Sequence, residues 1–207
     1  MGCAKPRVIQ AGDIADAMEK LCISACCNLP EENLERIEAF AAREESEVGR
    51  QVLEMILENH RLAAREQRPA CQDTGLAVVF LELGQDVRIE GGDLATAINE
   101  GVRRGYEKGY LRKSVVAEPL FERKNTRDNT PAIIHTSIVA GDKLKITLAP
   151  KGGGAENMSA VAMMIPAAGV EGVRKFVVEQ VRKAGSNPCP PVVVGVGIGG
   201  NFEVAPL

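Results

Sequence analysis

The segment PACQDTGLAVVFLEL, which covers residues 69–83, marks the point at which this 207-residue chain changes its structural character. Its first seven residues combine proline, glycine and short polar side chains and predict a loop, and the run from Leu76 to Leu83 predicts a strand. Apolar residues recur at helical spacing before this segment, and strand and helix patterns alternate after it. We therefore predict a mixed α and β fold, with a helical N-terminal lobe followed by a sheet-containing α/β core.

Three helices are predicted within the first third of the chain. Asp13 is a candidate cap for the first helix, Pro30 suits the first turn of the second, and Ser46 can cap the third. We place a domain boundary after this helical lobe, which gives a lobe over residues 1–66 and one continuous, C-terminally incomplete core over residues 67–207.

The core region alternates between strand and helix patterns. We predict helices over Asp93–Gly109 and Val170–Ala184, and strands over Ala132–Val139, Lys143–Ala149 and Val192–Ile198. The first two of these strands are joined by Gly141-Asp142, so we expect them to form a hairpin. The last strand is an unbroken apolar run, which is typical of a buried strand.

The composition excludes several classes of protein. Hydrophobic residues make up 45% of the chain, which supports a packed core without disulfides. The net charge is only −3 and aromatic residues make up 3%, so we expect no nucleic-acid partner. The sequence contains neither a membrane-spanning run nor a secretory signal, and the six cysteines are irregularly spaced. We expect a cytoplasmic protein whose cysteines are thiols or metal ligands.

The motif Cys71-Gln72-Asp73-Thr74-Gly75 places a thiol, an amide, a carboxylate and a hydroxyl in one loop. A thiolate binds soft metals and a neighbouring carboxylate can move a proton. Spacing alone favours the alternative, in which Cys71 is a packing residue beside a turn.

Two further loops carry candidate functional groups. In Asn187-Pro188-Cys189-Pro190-Pro191 the prolines stiffen the chain around one thiol, which suits either a cluster ligand or a tight turn before a strand. In Lys151-Gly152-Gly153-Gly154 the backbone N–H groups can approach an anion, although a flexible turn explains the glycines equally well.

Basic residues and histidines are less informative. Arg112 lies in one of two basic clusters that could clamp carboxylates, although a solvated surface is the commoner explanation. His60 and His135 fit packing positions better than catalytic ones. Cys22 and Cys26 lie one helical turn apart, and we interpret them as packing residues too.

Taken together, the motifs resemble one enzyme family. They occur in the order CQDTGLAVVF (71–80), YLRKSVV (110–116), RKNTRDNTPAIIH (123–135), APKGGGAENMS (149–159) and NPCPPVVVGVGIGG (187–200). This set is similar to the alpha-subunit or N-terminal portion of the class I iron–sulfur fumarate hydratase and L-tartrate dehydratase family. The resemblance extends from about Ile14 to Glu203.

The resemblance implies a cofactor and an incomplete ligand set. Family members hold a 4Fe–4S cluster with three cysteines, and Cys71 and Cys189 match two of them. The third family cysteine lies beyond the end of this chain, and none of the remaining four cysteines, Cys3, Cys22, Cys26 and Cys27, matches it. We therefore interpret the chain as truncated before the third cluster cysteine, and we expect the isolated chain to be inactive and its cluster site to be empty.

The resemblance also implies roles, a substrate and partners. Gln72, Asp73, Arg112 and Gly153 correspond to substrate-binding residues, with Asp73 as the candidate catalytic proton carrier. The expected reaction is the reversible dehydration of (S)-malate to fumarate. The alternatives are L-tartrate dehydration and a non-catalytic interaction or regulatory role. The expected partners are a small dicarboxylate, a beta-type subunit or C-terminal domain, and further copies of the chain in a homo-oligomer.

Overall fold

A computed structural model describes residues 5–207, which divide into two compact units between Lys151 and Gly152. The predicted mixed α and β fold with N-terminal helices is confirmed. The first unit contains, in order, β1 (Arg7–Gln10), α1 (Ala11–Cys27), α2 (Glu31–Ala41), α3 (Glu47–Glu66), β2 (Leu76–Gly84), β3 (Val87–Glu90), α4 (Leu94–Lys108), β4 (Ile133–Val139) and β5 (Leu144–Lys151). The predicted domain boundary after residue 66 stays a prediction.

Side-chain caps begin two helices of the first unit, and the one at Ser46 was predicted. Ser46 caps α3 by accepting a hydrogen bond from the Gly49 N–H at 3.2 Å, and Asp93 caps α4 by accepting one from the Thr96 N–H at 2.7 Å. The prediction of Asp13 as the cap of α1 was wrong, because that helix begins directly after β1, with Gln10 at its N-cap. Asp13 lies in the first turn, where its negative charge complements the helix dipole.

β2 is the central strand of a three-stranded sheet. β4 pairs with it in parallel and β5 pairs with it antiparallel on its other side. The predicted hairpin between the two later strands was therefore wrong. Their connection crosses the end of β2, where the Gly84 N–H donates to the Lys143 carbonyl at 2.8 Å and the Gln85 N–H donates to the Val139 carbonyl at 2.9 Å.

A glycine makes this crossing possible. A Cβ atom on Gly84 would lie 2.4 Å from the Gly141 carbonyl oxygen, which is far inside contact distance. The chain can pass over the end of the central strand only because this position has no side chain.

A second, two-stranded sheet went unpredicted. β1 and β3 pair in parallel, with Arg7 opposite Val87 and Gln10 opposite Glu90. Each strand has only four residues, and both mix charged or polar residues with apolar ones. Such short segments carry too little periodicity to be recognised as strands.

The core of the first unit lies between the larger sheet and the helix pair α1–α4. Alternate residues of the central strand, Ala77, Val79 and Leu81, are buried, as the two-residue period of a strand requires. They meet a helical layer of buried residues: Ile14, Met18, Cys22, Ile98, Val102 and Tyr106. This layer fixes the C-terminal half of α4 beneath the loop that precedes the central strand.

The second unit contains two helices, α5 (Gly153–Met158) and α6 (Gly169–Ala184), with a short 3-10 helix at Pro166–Ala168 between them. The prediction of a helix from Val170 to Ala184 is confirmed. The predicted buried strand over Val192–Ile198 was wrong, since this segment has no regular structure and Val193 is 90% exposed. Among residues 152–207 no strand is present to pair with it.

None of the helices in the described part of the chain is both long enough and apolar enough to span a bilayer.

Candidate active site

The loop that enters β2 forms a compact turn around an exposed thiol. The Asp73 N–H donates to the Cys71 Sγ at 3.4 Å, and the Cys71 thiol lies 3.6 Å from the Gln72 Oε1. The Asp73 carboxylate accepts a hydrogen bond from the Gly75 N–H at 3.2 Å. Cys71 is therefore not the buried packing residue that its spacing alone suggested, because the loop presents its sulfur at the surface.

Arg112 is held beside this loop by Thr74. The Thr74 hydroxyl accepts a hydrogen bond from the Arg112 N–H at 2.9 Å and donates to the Arg112 carbonyl at 3.3 Å. These two groups lie 38 positions apart in the sequence. The structure thus brings the predicted arginine to the predicted thiol loop.

Cys71, Gln72, Thr74 and Arg112 line one cavity of about 940 Å³. This volume lies within the usual range for small-molecule sites. Cationic groups are numerous around it, and the remaining lining residues are Ile23, Glu66, Gln67, Arg68, Pro69, Ala70, Lys108, Gly109 and Tyr110. Three positive side chains against one carboxylate favour an anionic ligand.

Two buried polar side chains support the loop from beneath, and the sequence did not single them out. The Tyr106 hydroxyl donates towards the Thr74 and Gly75 carbonyls, at 3.1 and 3.0 Å. Burial raises the pKa of Tyr106, which keeps the phenol protonated as a donor. Asn129 is fully buried and donates to the Gly75 carbonyl at 3.1 Å. For Tyr106, the only signal in the sequence was a hydroxyl on an otherwise apolar helix face. Asn129 gave no such signal, because asparagine is common in turns.

The second unit holds the other two predicted site residues close together. Gly153 is the first residue of α5, so its loop leads into a helix rather than a flexible turn. A Cβ on the neighbouring Gly154 would lie 2.3 Å from the Asn187 carbonyl oxygen, which places the glycine segment directly against the Cys189 loop. Cys189 is exposed, with φ of 58°, and its N–H donates to the Ser186 carbonyl at 3.1 Å.

The cysteines divide by environment. Cys71 and Cys189 are exposed in loops, whereas burial raises the pKa of Cys22 and of Cys26 to about 12 and also raises the pKa of Cys27. Burial thus favours the neutral thiol form of these helix cysteines, which agrees with the packing role predicted for Cys22 and Cys26. Residues 5–207 contain no group of three or more His, Cys, Asp or Glu side chains that could hold a metal ion. Among the described residues, Cys71 and Cys189 are therefore the two cysteines whose thiols are exposed.

The histidines lie outside this site. The His135 ring stacks on Phe80, with the ring centroids 5.1 Å apart, which agrees with the predicted packing role. His60 lies on α3 and burial lowers its pKa, so it stays neutral near pH 7.

The Cys71 thiol, the Gln72 amide and the Arg112 guanidinium thus line one cavity with a surplus of positive charge. The family model described as fumarate hydratase (Fumerase) matches residues 15–207. The chain belongs to this family of hydro-lyases, and the resemblance predicted from the motifs is confirmed.

Two relatives carry the same name. A protein of Methanocaldococcus jannaschii, provisionally named L(+)-tartrate dehydratase subunit alpha, is 39% identical over 197 residues, which are 93% of this chain and 69% of that protein. The L(+)-tartrate dehydratase subunit alpha of Escherichia coli K12 is 31% identical over 181 residues. These are 86% of this chain and 59% of the Escherichia coli subunit, so the chain spans less than two thirds of that relative's length.

Proposed function

We propose that this chain is the alpha-type portion of an iron–sulfur hydro-lyase that dehydrates L-tartrate. The observation that carries the proposal is the convergence of Cys71, Gln72 and Arg112 on one cavity of a chain whose relatives are named as tartrate dehydratase subunits. L-Tartrate is a small dianion, and its size and charge suit a cavity bordered by Arg68, Lys108 and Arg112.

The side chains of this chain divide the work of such a reaction. Arg112 holds a substrate carboxylate through paired N–H donors, and Gln72 donates its amide N–H to a substrate oxygen. Asp73 accepts or returns a proton, since its carboxylate belongs to the same loop. Gly153 contributes a backbone N–H from the start of α5.

Cys71 and Cys189 would hold a 4Fe–4S cluster together with a third cysteine from outside this chain, and such a cluster supplies Lewis acidity towards the leaving hydroxyl. This assignment requires the two loops to meet in the assembled enzyme. The exposure of both thiols supports it.

Dehydration of (S)-malate to fumarate is the second candidate, because the matching family model is described as fumarate hydratase. The two substrates differ by one hydroxyl group. The motifs led us to expect malate first, but the names of the relatives favour tartrate.

A beta-type subunit is the proposed partner, because the relatives are named as alpha subunits. We further propose a homo-oligomer of the resulting pairs and a cytoplasmic location. A non-catalytic role for the chain remains the outcome if no substrate is turned over.

The test is to co-express the chain with a beta-type subunit in the absence of oxygen and to compare kcat/KM for L-tartrate and (S)-malate. A full-length alpha subunit, co-expressed in the same way, serves as the reference. We expect turnover with a preference for tartrate in the complemented assembly. Equal or better use of malate would transfer the assignment to fumarate hydratase, and no turnover by an intact assembly would leave the non-catalytic role.

A matched pair of variants tests the site itself. Arg112→Ala should lower kcat/KM roughly 100-fold, the usual scale for losing one charge-stabilising donor in an active site. Arg43→Ala removes an arginine that lies over Phe40, outside the cavity, and should leave kcat/KM unchanged. Equal effects of the two substitutions would remove Arg112 from the site.

A further inference from the structure

We infer that Asn129 is a positioning residue, which fixes the spacing between the Cys71–Gly75 loop and the segment that carries Arg112. Its relevance to catalysis rests on the proposed function, but its effect on the two segments does not. Asn129 touches neither the cavity nor the proposed substrate, so it would act through the residues that do.

The Asn129 side chain joins two segments that are distant in sequence. Its Oδ1 accepts hydrogen bonds from the Ser114 N–H at 2.7 Å and the Val115 N–H at 3.3 Å. Its Nδ2 donates to the Gly75 carbonyl at 3.1 Å. One amide group therefore holds the end of the thiol loop and the backbone two residues after Arg112.

Only a group that is both donor and acceptor can make these contacts at once. The side chain is fully buried, so water does not replace a missing partner. A carboxylate at this position would keep the acceptor for Ser114 and lose the donor for Gly75. An apolar residue would lose both connections.

The backbone at Asn129 points to the same constraint. Its φ of 62° lies in the left-handed region, which β-branched and bulky residues avoid and which asparagine tolerates better than most. The residue thus combines an unfavourable backbone conformation with three hydrogen bonds from a buried side chain. Such positions persist where the surroundings require the side chain in one place.

Thr74 provides a second, independent connection between the same segments through its hydroxyl and the Arg112 backbone. The two connections lie on either side of the loop end, one at Thr74 and one at Gly75. Losing one should therefore loosen the spacing without separating the segments.

The experiment is amide hydrogen exchange on the full chain carrying Asn129→Asp. We expect exchange at Gly75 and Arg112 to accelerate about fivefold, the factor that one lost hydrogen bond contributes to an opening equilibrium. The Ser114 N–H should stay protected, because the carboxylate still accepts its hydrogen bond. Asn129→Ala removes the hydrogen bonds to both segments, so the Ser114 amide of this variant should exchange faster as well.

Asn99→Asp is the matched control. Asn99 also uses its amide twice, donating to the Ala95 carbonyl at 2.9 Å and accepting from the Ala132 N–H at 2.8 Å, but it lies outside the cavity. This variant should leave exchange at Gly75 and Arg112 unchanged. If it accelerates them as much as Asn129→Asp does, or if Asn129→Asp leaves them unchanged, the positioning role is wrong.

Should Asn129→Asp fail to fold, Thr74→Val offers the same readout from the other connection, with Arg112 as the reporting amide.

In an active assembly, Asn129→Asp should raise KM for the dicarboxylate more than it lowers kcat, because Arg112 binds substrate. An assembly without turnover would refute the proposed function and leave the exchange result intact. Unchanged KM with altered exchange would confine Asn129 to a structural role and overturn the inference.

Discussion

Cys22 shows how a single buried thiol links stability to pH. It lies on α1 with 1% of its surface exposed, and burial raises its pKa to about 12. In the unfolded chain the pKa of a cysteine is about 8.5, so the folded state retains the proton over a range in which the unfolded state loses it. The stabilisation is complete below pH 8.5 or so and is lost as the pH rises towards the folded pKa.

We predict that replacing this thiol weakens the alkaline loss of stability. Between pH 8.5 and 10 the contribution of Cys22 is at most about 2 kcal/mol, from the linkage of one proton over this interval. Urea unfolding of Cys22→Ala should therefore show a smaller fall in unfolding free energy over this interval than the parent protein. Between pH 6.5 and 7.5 both proteins should have flat profiles, and equal alkaline slopes would contradict the assigned burial effect.

The residue scale also separates what the sequence can and cannot predict about the site. Cys71 and Arg112 were predictable because they lie in motifs with recognisable chemistry. The support from Tyr106 and Asn129 was not, because hydrogen bonds over 31 to 54 positions leave no periodic signal in a single sequence. Their roles arise only after the chain has folded.

At the scale of elements, α1 and α4 approach each other closely at Gly101. A Cβ at this glycine would lie 2.4 Å from the Met18 Cβ and 2.5 Å from the Ala15 carbonyl oxygen. The helices can adopt this distance only while that position lacks a side chain. Tyr106 lies about one and a half turns further along α4. The distance between the two helices at Gly101 therefore also determines how far its phenol lies from the Cys71–Gly75 loop.

We predict that Gly101→Ala destabilises the first unit. Overpacking of this kind costs about 1–3 kcal/mol, against a gain of about 1 kcal/mol in helix propensity, so the net change should be a loss. Gly12→Ala is the control on α1, where a new Cβ would find no atom within 4 Å. Urea midpoints should fall for the first variant and stay level or rise for the second. A stable Gly101→Ala protein would mean that the helices can separate freely.

The elements that sequence reasoning missed share a physical cause. Long amphipathic helices and the central strand were predictable because their apolar periods repeat several times. The strand order was not, since Gly84 permits a crossing that a local turn signal at Gly141-Asp142 cannot reveal. The run at Val192–Ile198 is apolar enough for a strand, but a strand forms only where a partner is available to pair with it.

At the scale of the whole molecule, we propose that the chain supplies part of an active site. The residues that it contributes are distributed over two compact units, with Cys71 and Arg112 in one and Gly153 and Cys189 in the other. The helices, the sheet and the α1–α4 core do not include either exposed cysteine. Folding of these units should therefore not depend on a bound metal, unlike that of a zinc finger.

We predict that the isolated 207-residue chain folds but has no measurable hydro-lyase activity. In the proposed assignment Cys71 and Cys189 are two of three cluster ligands, and a beta-type partner supplies further groups of the site. Residues that act as one unit lose most of their rate enhancement when any member is removed.

The measurement is circular dichroism and thermal unfolding for the fold, followed by anaerobic reconstitution with iron and sulfide. Fumarate absorbance then reports malate dehydration, and a coupled assay for oxaloacetate reports tartrate dehydration. The same chain with its partner and a full-length alpha subunit is the positive control. Turnover by the isolated chain at the rate of this control would show that a third ligand and a complete substrate site are already present within residues 1–207.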